Sequence, residues 1–322
     1  MKIVYLSKNQ YENLLPLDIE KGVLNTEAKM FRYTTSRNED KVVKSLFYIE
    51  GETFASKLYT IEMLDTYKEY LPESFVIPDS LLSVRDRIIS FTLPYKEGIN
   101  LSTILKNKNM SVKEQLYYLK KVGEILYQLK NIREYSDLKK IFINDLHDSN
   151  FIVNTKKKSI YVIDLDSCKI GNNICFTSRF LSPYSIASIL PIKYKVNTDN
   201  NGPGYIIPDE NTDTYCYMIM ILNYLYGENI NSMPFNLDIL ELTRKEINNM
   251  SYEEKMTTLF YEYLNYLEWV GYHIDLLDCF NNILNNANNV NPFNYLDSIN
   301  DKMVYRARSN VYNSVRGNRL IH

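Results

Sequence analysis

Three polar side chains in the middle of the chain have the types and spacing that phosphate chemistry requires. Asp145 and Asn150 lie five positions apart in a loop that leads into an apolar strand, and Asp164 ends a second apolar strand. A carboxylate can orient or deprotonate an acceptor hydroxyl, and carboxylate and amide oxygens are hard ligands that hold Mg²⁺ against phosphates. Asp-rich loops are also ordinary turns, so the surrounding elements decide between the two interpretations.

The segment that precedes these residues has the patterns of a small sheet. Residues 28–33 and 41–48 carry short apolar runs around a polar turn, which predicts a β-hairpin. Residues 53–70 have apolar positions close to helical spacing and are followed by a proline, which predicts a helix that ends there. Residues 81–84 and 87–93 predict a second hairpin. Five short strands with one inserted helix are typical of an α+β arrangement.

The pattern changes after Pro94. Residues 101–106 and 112–132 predict helices, the second strongly amphipathic. Residues 142–153 and 159–165 predict two short strands around a polar loop. From Asp213 to the end the pattern is mainly helical.

These patterns predict a bilobal α+β protein with a hinge near residues 93–98. Residues 1–94 form the smaller lobe, an antiparallel sheet with one helix, and residues 95–322 form a larger, mainly helical lobe. Asp145, Asn150 and Asp164 all fall in the larger lobe.

Composition and charge argue against several classes of function. The 322 residues are 45% hydrophobic with a formal net charge of −2. No run approaches the roughly 18 apolar residues of a membrane-spanning helix. We therefore expect neither nucleic acid nor a membrane as a partner. Cys168 and Cys175 could in principle bind a metal, but reduced thiols in a cytoplasmic protein are the better interpretation, since no CxxC pair is present.

The loop around Asp145 resembles the catalytic loop of the protein-kinase-like superfamily. The pattern H-R-D-L-x-x-x-N aligns without a gap onto residues 143–150, which implies that Asp145 is the catalytic base and Asn150 a magnesium ligand. Asp164 resembles the aspartate of D-F-G, which implies a second magnesium ligand. The order Asp-Leu-His followed by Asn150 also resembles the aminoglycoside and choline kinase branch, and implies that His147 lies near the transferred phosphate.

Two further matches lie in the first 94 residues. Val-Val-Lys ending at Lys44 resembles V-A-I-K, whose lysine holds ATP phosphates, although Lys41 competes for that role. Glu62 lies eighteen positions after Lys44 and resembles the helix glutamate that pairs with this lysine. Glu52 and Glu69 are alternatives for the glutamate.

Other parts of the resemblance concern the nucleotide and the support of the loop. Residues 88–93 and the Pro-Tyr-Lys-Glu-Gly that follows resemble the strand and hinge that contact adenine, with Phe91 near the gatekeeper position and Leu93 beside the hinge. Gly22 is the single glycine where the phosphate-covering loop carries G-x-G-x-x-G. Asp213 begins an apolar helix that resembles the one whose first aspartate braces the catalytic loop.

The sequence departs from the superfamily pattern in three further places. Ile143 and Asn144 replace the His and Arg of H-R-D, which predicts that no activation-loop phosphorylation switch operates. Asp166 replaces the glycine of D-F-G and is either a second metal-facing carboxylate or a turn residue, with a supporting role favoured. Residues 178–184 and 207–210 are two poor matches to the A-P-E segment, so the platform for a peptide substrate is not assigned.

The resemblance, which covers roughly residues 22–227, implies an ATP-dependent phosphotransferase that uses Mg²⁺, with Mn²⁺ as an alternative. A divergent bacterial or phage-type Ser/Thr protein kinase is the favoured interpretation. The alternatives are a small-molecule kinase of the aminoglycoside or choline type, and a pseudokinase that serves as a nucleotide-binding scaffold. The expected partners are ATP and a protein or small-molecule acceptor.

Overall fold

The computed structural model describes residues 1–17, 28–135 and 141–173 as continuous stretches. It also describes individual residues of the C-terminal part: Asp213, Cys216, Tyr217, Met220, Ile221, Tyr224, Asn249, Asp301, Lys302, Val304, Tyr305 and Arg308.

The chain divides into two compact units. One unit comprises Met1–Ser102 and Tyr127–Cys175, and the other comprises Thr103–Leu126 and Phe176–His322. Within the described residues the architecture is α+β, as predicted, with a mixed sheet and four α-helices. The predicted lobe boundary between residues 94 and 95 stays a prediction.

A six-stranded sheet forms the centre of the first unit. Its strands are Lys2–Leu6 (β1), Leu15–Pro16 (β2), Ala28–Thr34 (β3), Asp40–Leu46 (β4), Ser80–Val84 (β5) and Arg87–Pro94 (β6). Their order is β1-β5-β6-β4-β3-β2. β1 pairs in parallel with β5, and the other neighbours are antiparallel. The edge strands β1 and β2 lie outside the four segments of this region for which the sequence predicted strands.

The two predicted hairpins are confirmed. β3 pairs with β4 from Ala28 opposite Leu46 to Thr34 opposite Asp40. β5 and β6 are joined by Arg85 and Asp86, whose φ angles are 52° and 60°. Two central residues with positive φ match the right-handed twist of the flanking strands, which explains why this connection needs only two residues.

Two helices accompany the sheet. α1 (Lys8–Glu12) was not predicted, and Ser7 begins it with a reciprocal capping box to Gln10. α2 (Gly51–Thr66) is the predicted helix, but its predicted last turn is a separate 3₁₀ turn, Lys68–Tyr70. Ile61 of α2 belongs to a core of this unit. The buried side chains of that core are Ala28, Leu46, Ile61, Val76, Leu81, Phe91 and Leu93.

Of the strands that the structure describes, five short ones lie outside the six-stranded sheet and differ from the two that the sequence predicted. They are Ile99–Asn100 (β7), Ile141–Phe142 (β8), Phe151–Asn154 (β9), Ser159–Val162 (β10) and Lys169–Ile170 (β11). The predicted strand 142–153 is therefore two strands separated by a loop and by the 3₁₀ turn Asp148–Asn150. β9 pairs with both β10 and β7, and β8 pairs with β11.

Gly98 permits the close approach of β7 to β9. A Cβ atom at this position would lie 2.5 Å from the carbonyl oxygen of Val153 and 2.6 Å from Ile152 Cγ2. Contacts this short do not occur, so this position requires the absence of a side chain.

The helices α3 (Leu101–Lys106) and α4 (Val112–Tyr135) match the predicted ones. In the second unit, Gln115 Nε2 donates to the carbonyl oxygens of Ile104, Leu105 and Asn107, and its Oε1 accepts from the Tyr224 hydroxyl at 2.9 Å. Among the described residues, we find no helix with both the length and the apolar character needed to cross a membrane.

Candidate functional site

Strand β4 carries the two lysines that competed for the phosphate-binding role. Because successive side chains of a strand point to opposite faces, Lys41 and Lys44 lie on opposite sides of the sheet. Lys41 donates to Asp79 at 2.6 Å. Lys44 shares its face with Leu46 and lies opposite Phe91 in register, both of which belong to the core beside α2.

Lys44 is the buried cation of the site. It donates to Asp164 Oδ1 and to Asp166 Oδ1, and its Nζ lies 2.5 Å from the latter. The pairing predicted for Lys44 and Glu62 is not among the contacts of the described residues, because Glu62 lies on the exposed side of α2. The alternatives Glu52 and Glu69 are also exposed.

The inward position of α2 is held by a residue that sequence reasoning missed. Lys57 Nζ donates to Asp166 Oδ2 at 2.8 Å and to Ser167 Oγ at 3.3 Å, with only 12% of the side chain exposed. Lys57, Ile61 and Leu64 are spaced i, i+4, i+7, which places them on one face of the helix. That spacing was a signal in the sequence for an inward lysine.

Asp164 and Asp166 follow β10 and begin the 3₁₀ turn Leu165–Ser167. Asp164 has φ 64° and ψ 39°, in the left-handed region that Asp tolerates better than most residues. The turn places the two carboxylates differently: the side chain of Asp164 is 33% exposed and that of Asp166 is 1% exposed. Asp164 is therefore the carboxylate that a ligand can reach.

Burial and pairing shift the two carboxyl pKa values in opposite directions. Burial raises the pKa of Asp164 to about 6, since the attraction of Lys44 offsets it only in part and Asp166 adds to the rise. Water at the exposed third of this side chain screens these interactions. Burial also acts to raise the pKa of Asp166, but Lys44 and Lys57 outweigh it and hold that pKa well below its ordinary value.

The same charges act on the lysine. Burial favours the neutral form of Lys44, but Asp164 and then Asp166 outweigh it and raise the pKa of Lys44 above its ordinary value. Lys44 is therefore a cation at neutral pH despite its burial.

In the predicted catalytic loop, Asn150 holds Asp145. Asn150 Nδ2 donates to the Asp145 carbonyl oxygen at 2.8 Å and to Asp145 Oδ2 at 3.2 Å. Asn150 is buried in the 3₁₀ turn, whereas Asp145 is partly exposed. A fixed carboxylate that solvent reaches is suited to accept a proton from a substrate hydroxyl.

His147 lies beside the Asp145 carboxylate. Its Nδ1 accepts from the backbone N–H of Ser149 at 3.3 Å, so the neutral ring carries its proton on Nε2. This Nε2 lies 3.8 Å from Asp145 Oδ1. The structure thus places His147 beside Asp145, and its position near the transferred phosphate stays a prediction.

Two contacts connect the Asp145 loop with the turn that carries Asp164. The backbone N–H of Ile163 donates to the Asn150 carbonyl oxygen at 2.9 Å. Asn144 is fully buried with φ 65°, and its Nδ2 donates to the Ser167 carbonyl oxygen at 3.1 Å. Sequence reasoning treated Asn144 only as a lost arginine, and it missed this connection because the two residues are distant in the chain.

The remaining predicted residues have varied positions. The ring centroid of Phe91 is 5.9 Å from Lys44 Nζ, and Leu93 is buried in the same core; their contacts with adenine stay a prediction. Asp213 is helical and buried in the second unit, and its bracing role stays a prediction. Gly22 lies outside the described residues, as do Cys175 and the segments 178–184 and 207–210.

The oxygen atoms of the site fit a magnesium ion that is shared with phosphates. Mg²⁺ is usually held by one or two carboxylates together with water and phosphate oxygens. Asp164 supplies an accessible carboxylate, and Asn150 uses its amide nitrogen for Asp145, so its amide oxygen is the atom suited to a cation. Asp166 does not fit as a ligand because both of its oxygens accept from lysines. In the described part of the chain, no group of three or more His, Cys, Asp or Glu forms a metal site by itself.

Comparison with protein-family models and with curated proteins finds no match. The interpretation of the site therefore depends on its own residues and their contacts.

Proposed function

We propose that this chain is an ATP- and Mg²⁺-dependent phosphotransferase with a bilobal, protein-kinase-like fold. The observation that carries the proposal is the contact between Lys44 on β4 and Asp164 after β10, which are 120 positions apart. It joins a cation suited to phosphate oxygens to a carboxylate suited to a metal ion. Asn150, which holds Asp145, is one backbone hydrogen bond from the residue before Asp164. Phosphoryl transfer requires these groups in one place.

Asp145 is the group that receives the acceptor. Its carboxylate orients the acceptor hydroxyl and takes its proton while the hydroxyl oxygen bonds to the γ-phosphorus and the β–γ bridging oxygen leaves with ADP. Asn150 keeps the carboxylate in position through its amide nitrogen. His147 Nε2 lies 3.8 Å from Asp145 Oδ1, so its ring is beside the group that takes the proton.

Lys44 binds the phosphates of ATP, and its raised pKa keeps it charged for this task. Asn150 and Asp164 are the residues that would hold Mg²⁺, which when bound neutralises the charge of the phosphates. In this assignment, Lys44 and Asp164 exchange their mutual contact for contacts with the nucleotide and the metal.

We favour a protein Ser/Thr hydroxyl as the acceptor. The support is the resemblance of the Asp213 helix to the corresponding helix of protein kinases, whereas the Asp-Leu-His loop supports a small-molecule acceptor. A cytoplasmic location is part of the proposal, supported by the buried cysteine thiols at positions 168 and 216.

The test is phosphate transfer from γ-labelled ATP by the full chain with Mg²⁺, with ATP hydrolysis measured in parallel. Asp145→Asn and Asp164→Asn are each expected to lower the rate by about 100-fold or more. Asp86→Asn is the matched control, because Asp86 is exposed and has a φ of 60°, close to that of Asp164. It is expected to keep the wild-type rate.

Acceptor panels distinguish the alternatives. Labelling of protein substrates or of the chain itself supports a protein kinase, and labelling of aminoglycosides or choline supports a small-molecule kinase. A wild-type protein that binds ATP without any transfer would show a nucleotide-binding scaffold and reject the proposed activity. Equal rates in wild type and both variants would reject the catalytic assignment.

A further inference from the structure

The charges at two positions of the site differ from those of the pattern that the sequence resembles. In that pattern the helix carries a glutamate that pairs with the strand lysine, and a glycine follows D-F. Here the charged residue that α2 directs to the site is Lys57, and the residue two positions after Asp164 is Asp166. The helix has a cation in place of an anion, and the turn has an anion in place of a neutral residue.

The two changes compensate each other in space. Asp166 Oδ1 accepts from Lys44 and Asp166 Oδ2 accepts from Lys57, so each oxygen of the carboxylate has a lysine. Asp166 is almost completely buried, and Lys44 and Lys57 are largely buried. A glutamate at position 57 would lie beside Asp166 and would repel it.

The charge balance gives Lys57 a role that Lys44 cannot fill alone. When Lys44 turns toward nucleotide phosphates, Asp166 loses part of its pairing in a place that water does not reach. An ionised carboxylate in such a place is strongly destabilising unless another cation remains beside it. Lys57 is that cation, and it comes from the helix.

We propose that Asp166 and Lys57 are the positioning pair of this site. Asp166 replaces the helix glutamate as the partner of Lys44, and Lys57 joins Asp166 to helix α2. The position of α2 thereby controls the orientation of Lys44 through one intervening carboxylate. Asp166 is a positioning residue and not a ligand of the metal.

Because the role of Lys44 toward phosphates rests on the proposed function, the experiment has one part that needs no activity. The melting temperature of the nucleotide-free full chain is measured for Lys57→Met, Asp166→Asn and the double variant. Each single change is expected to lower the melting temperature by about 5–10 °C, since it removes a buried ion pair from the site. The double variant is expected to lose clearly less than the sum of the two.

The second part measures the affinity for nucleotide and the turnover rate. Lys57→Met is expected to lower kcat by about 10–100-fold, as for residues that orient a group in contact with the substrate. The Kd for ADP without Mg²⁺ is expected to change less than about threefold, because Lys57 does not touch the nucleotide. Lys57→Arg keeps the charge and is expected to restore most of kcat. Lys68→Met, at an exposed lysine just after α2, is the control.

A charge exchange separates positioning from simple stabilisation. Lys57→Glu alone places two carboxylates together and is expected to be the least active variant. Lys57→Glu with Asp166→Asn removes that repulsion and returns a carboxylate to the helix for Lys44. We expect this double variant to fold and to recover at least about tenfold in kcat over Lys57→Glu, which corresponds to about 1.4 kcal/mol.

Each result has a defined meaning. Melting-temperature losses that add in the double variant, or a charge exchange no better than Lys57→Glu, would overturn the positioning pair. If wild type transfers no phosphate but the losses remain non-additive, the proposed function fails while the pair itself is retained. If wild type transfers phosphate and Lys57→Met does so at the wild-type rate, the pair has no role in the reaction and the inference is rejected.

Discussion

Lys44 Nζ lies 2.5 Å from Asp166 Oδ1, although 122 positions separate the two residues in the chain. Their side chains are 5% and 1% exposed, so water screens the pair very little. In such a place the removal of one partner costs more than the pair contributes, because an unpaired charge remains.

The first prediction concerns the removal of this lysine. Lys44→Met leaves Asp164 and Asp166 adjacent without their shared cation, and we expect the free energy of unfolding to fall by about 3–5 kcal/mol at neutral pH. Lys41→Met on the same strand breaks a more exposed pair with Asp79 and should cost about 1 kcal/mol or less. Urea unfolding measures both. Equal losses would show that burial does not distinguish the two lysines.

A second prediction separates the catalytic role of Asn150 from its structural role. Asn150→Ala and Asn154→Ala each remove a buried amide that donates to a backbone carbonyl oxygen, at 2.8 Å and 3.1 Å. Each should lower the free energy of unfolding by about 1–3 kcal/mol. Only Asn150→Ala should also lower the rate of phosphate transfer, by about 100-fold or more.

Asn154 is the control for this comparison, because it lies at the end of the same strand that Asn150 precedes. Steady-state kinetics at a temperature where both variants are folded would decide the matter. A matching rate loss in Asn154→Ala would mean that the effect of Asn150 is structural.

The third prediction concerns pH. Burial raises the pKa of Asp164 to about 6, from an ordinary value of about 4. Between these values the folded protein keeps this proton and the unfolded chain releases it, so a rise in pH lowers the contribution of Asp164 to the free energy of unfolding. The pKa of Asp166 is lowered instead, so the contribution of Asp166 to the free energy of unfolding is lost as the pH falls below this window.

Asp164→Asn has no carboxyl group to titrate. The free energy of unfolding of Asp164→Asn, relative to wild type, should therefore increase as the pH rises from about 4 to about 6. Urea titrations of both proteins at several pH values measure this difference. A difference that stays constant across the window would show that the pKa of Asp164 is not raised.

A fourth prediction tests the close approach of β7 and β9. Gly98→Ala places a Cβ atom 2.5 Å from the Val153 carbonyl oxygen, and the strands must separate. We expect a loss of about 1–3 kcal/mol in the free energy of unfolding. Gly51→Asn is the comparison, because Gly51 has φ 84° but nothing within 4 Å of its Cβ position, and Asn tolerates positive φ. Thermal unfolding should show the smaller loss for Gly51→Asn.

Much of the local structure could be predicted from the sequence. The hairpins β3–β4 and β5–β6 and the helices α2, α3 and α4 follow from periodicity and turn residues, which act over a few positions. The parallel strand β1 could not be predicted, because its partner β5 is more than seventy positions away and its own pattern does not name that partner. The strand predicted over 142–153 was wrong because its apolar ends belong to two different small sheets.

For the site, the sequence alone determined the types of the chemical groups and their order: a strand lysine, a loop Asp and Asn, and an Asp after a strand. Only the tertiary structure decided that Lys44 and not Lys41 joins the carboxylates, and that Lys57 and not Glu62 faces inward from α2. Alternation along a strand places the two lysines on opposite faces of the sheet, but it does not determine which face α2 covers. That choice is made when α2 packs on the sheet, because burial of Ile61 and Leu64 fixes which helix residues meet the turn at Asp166.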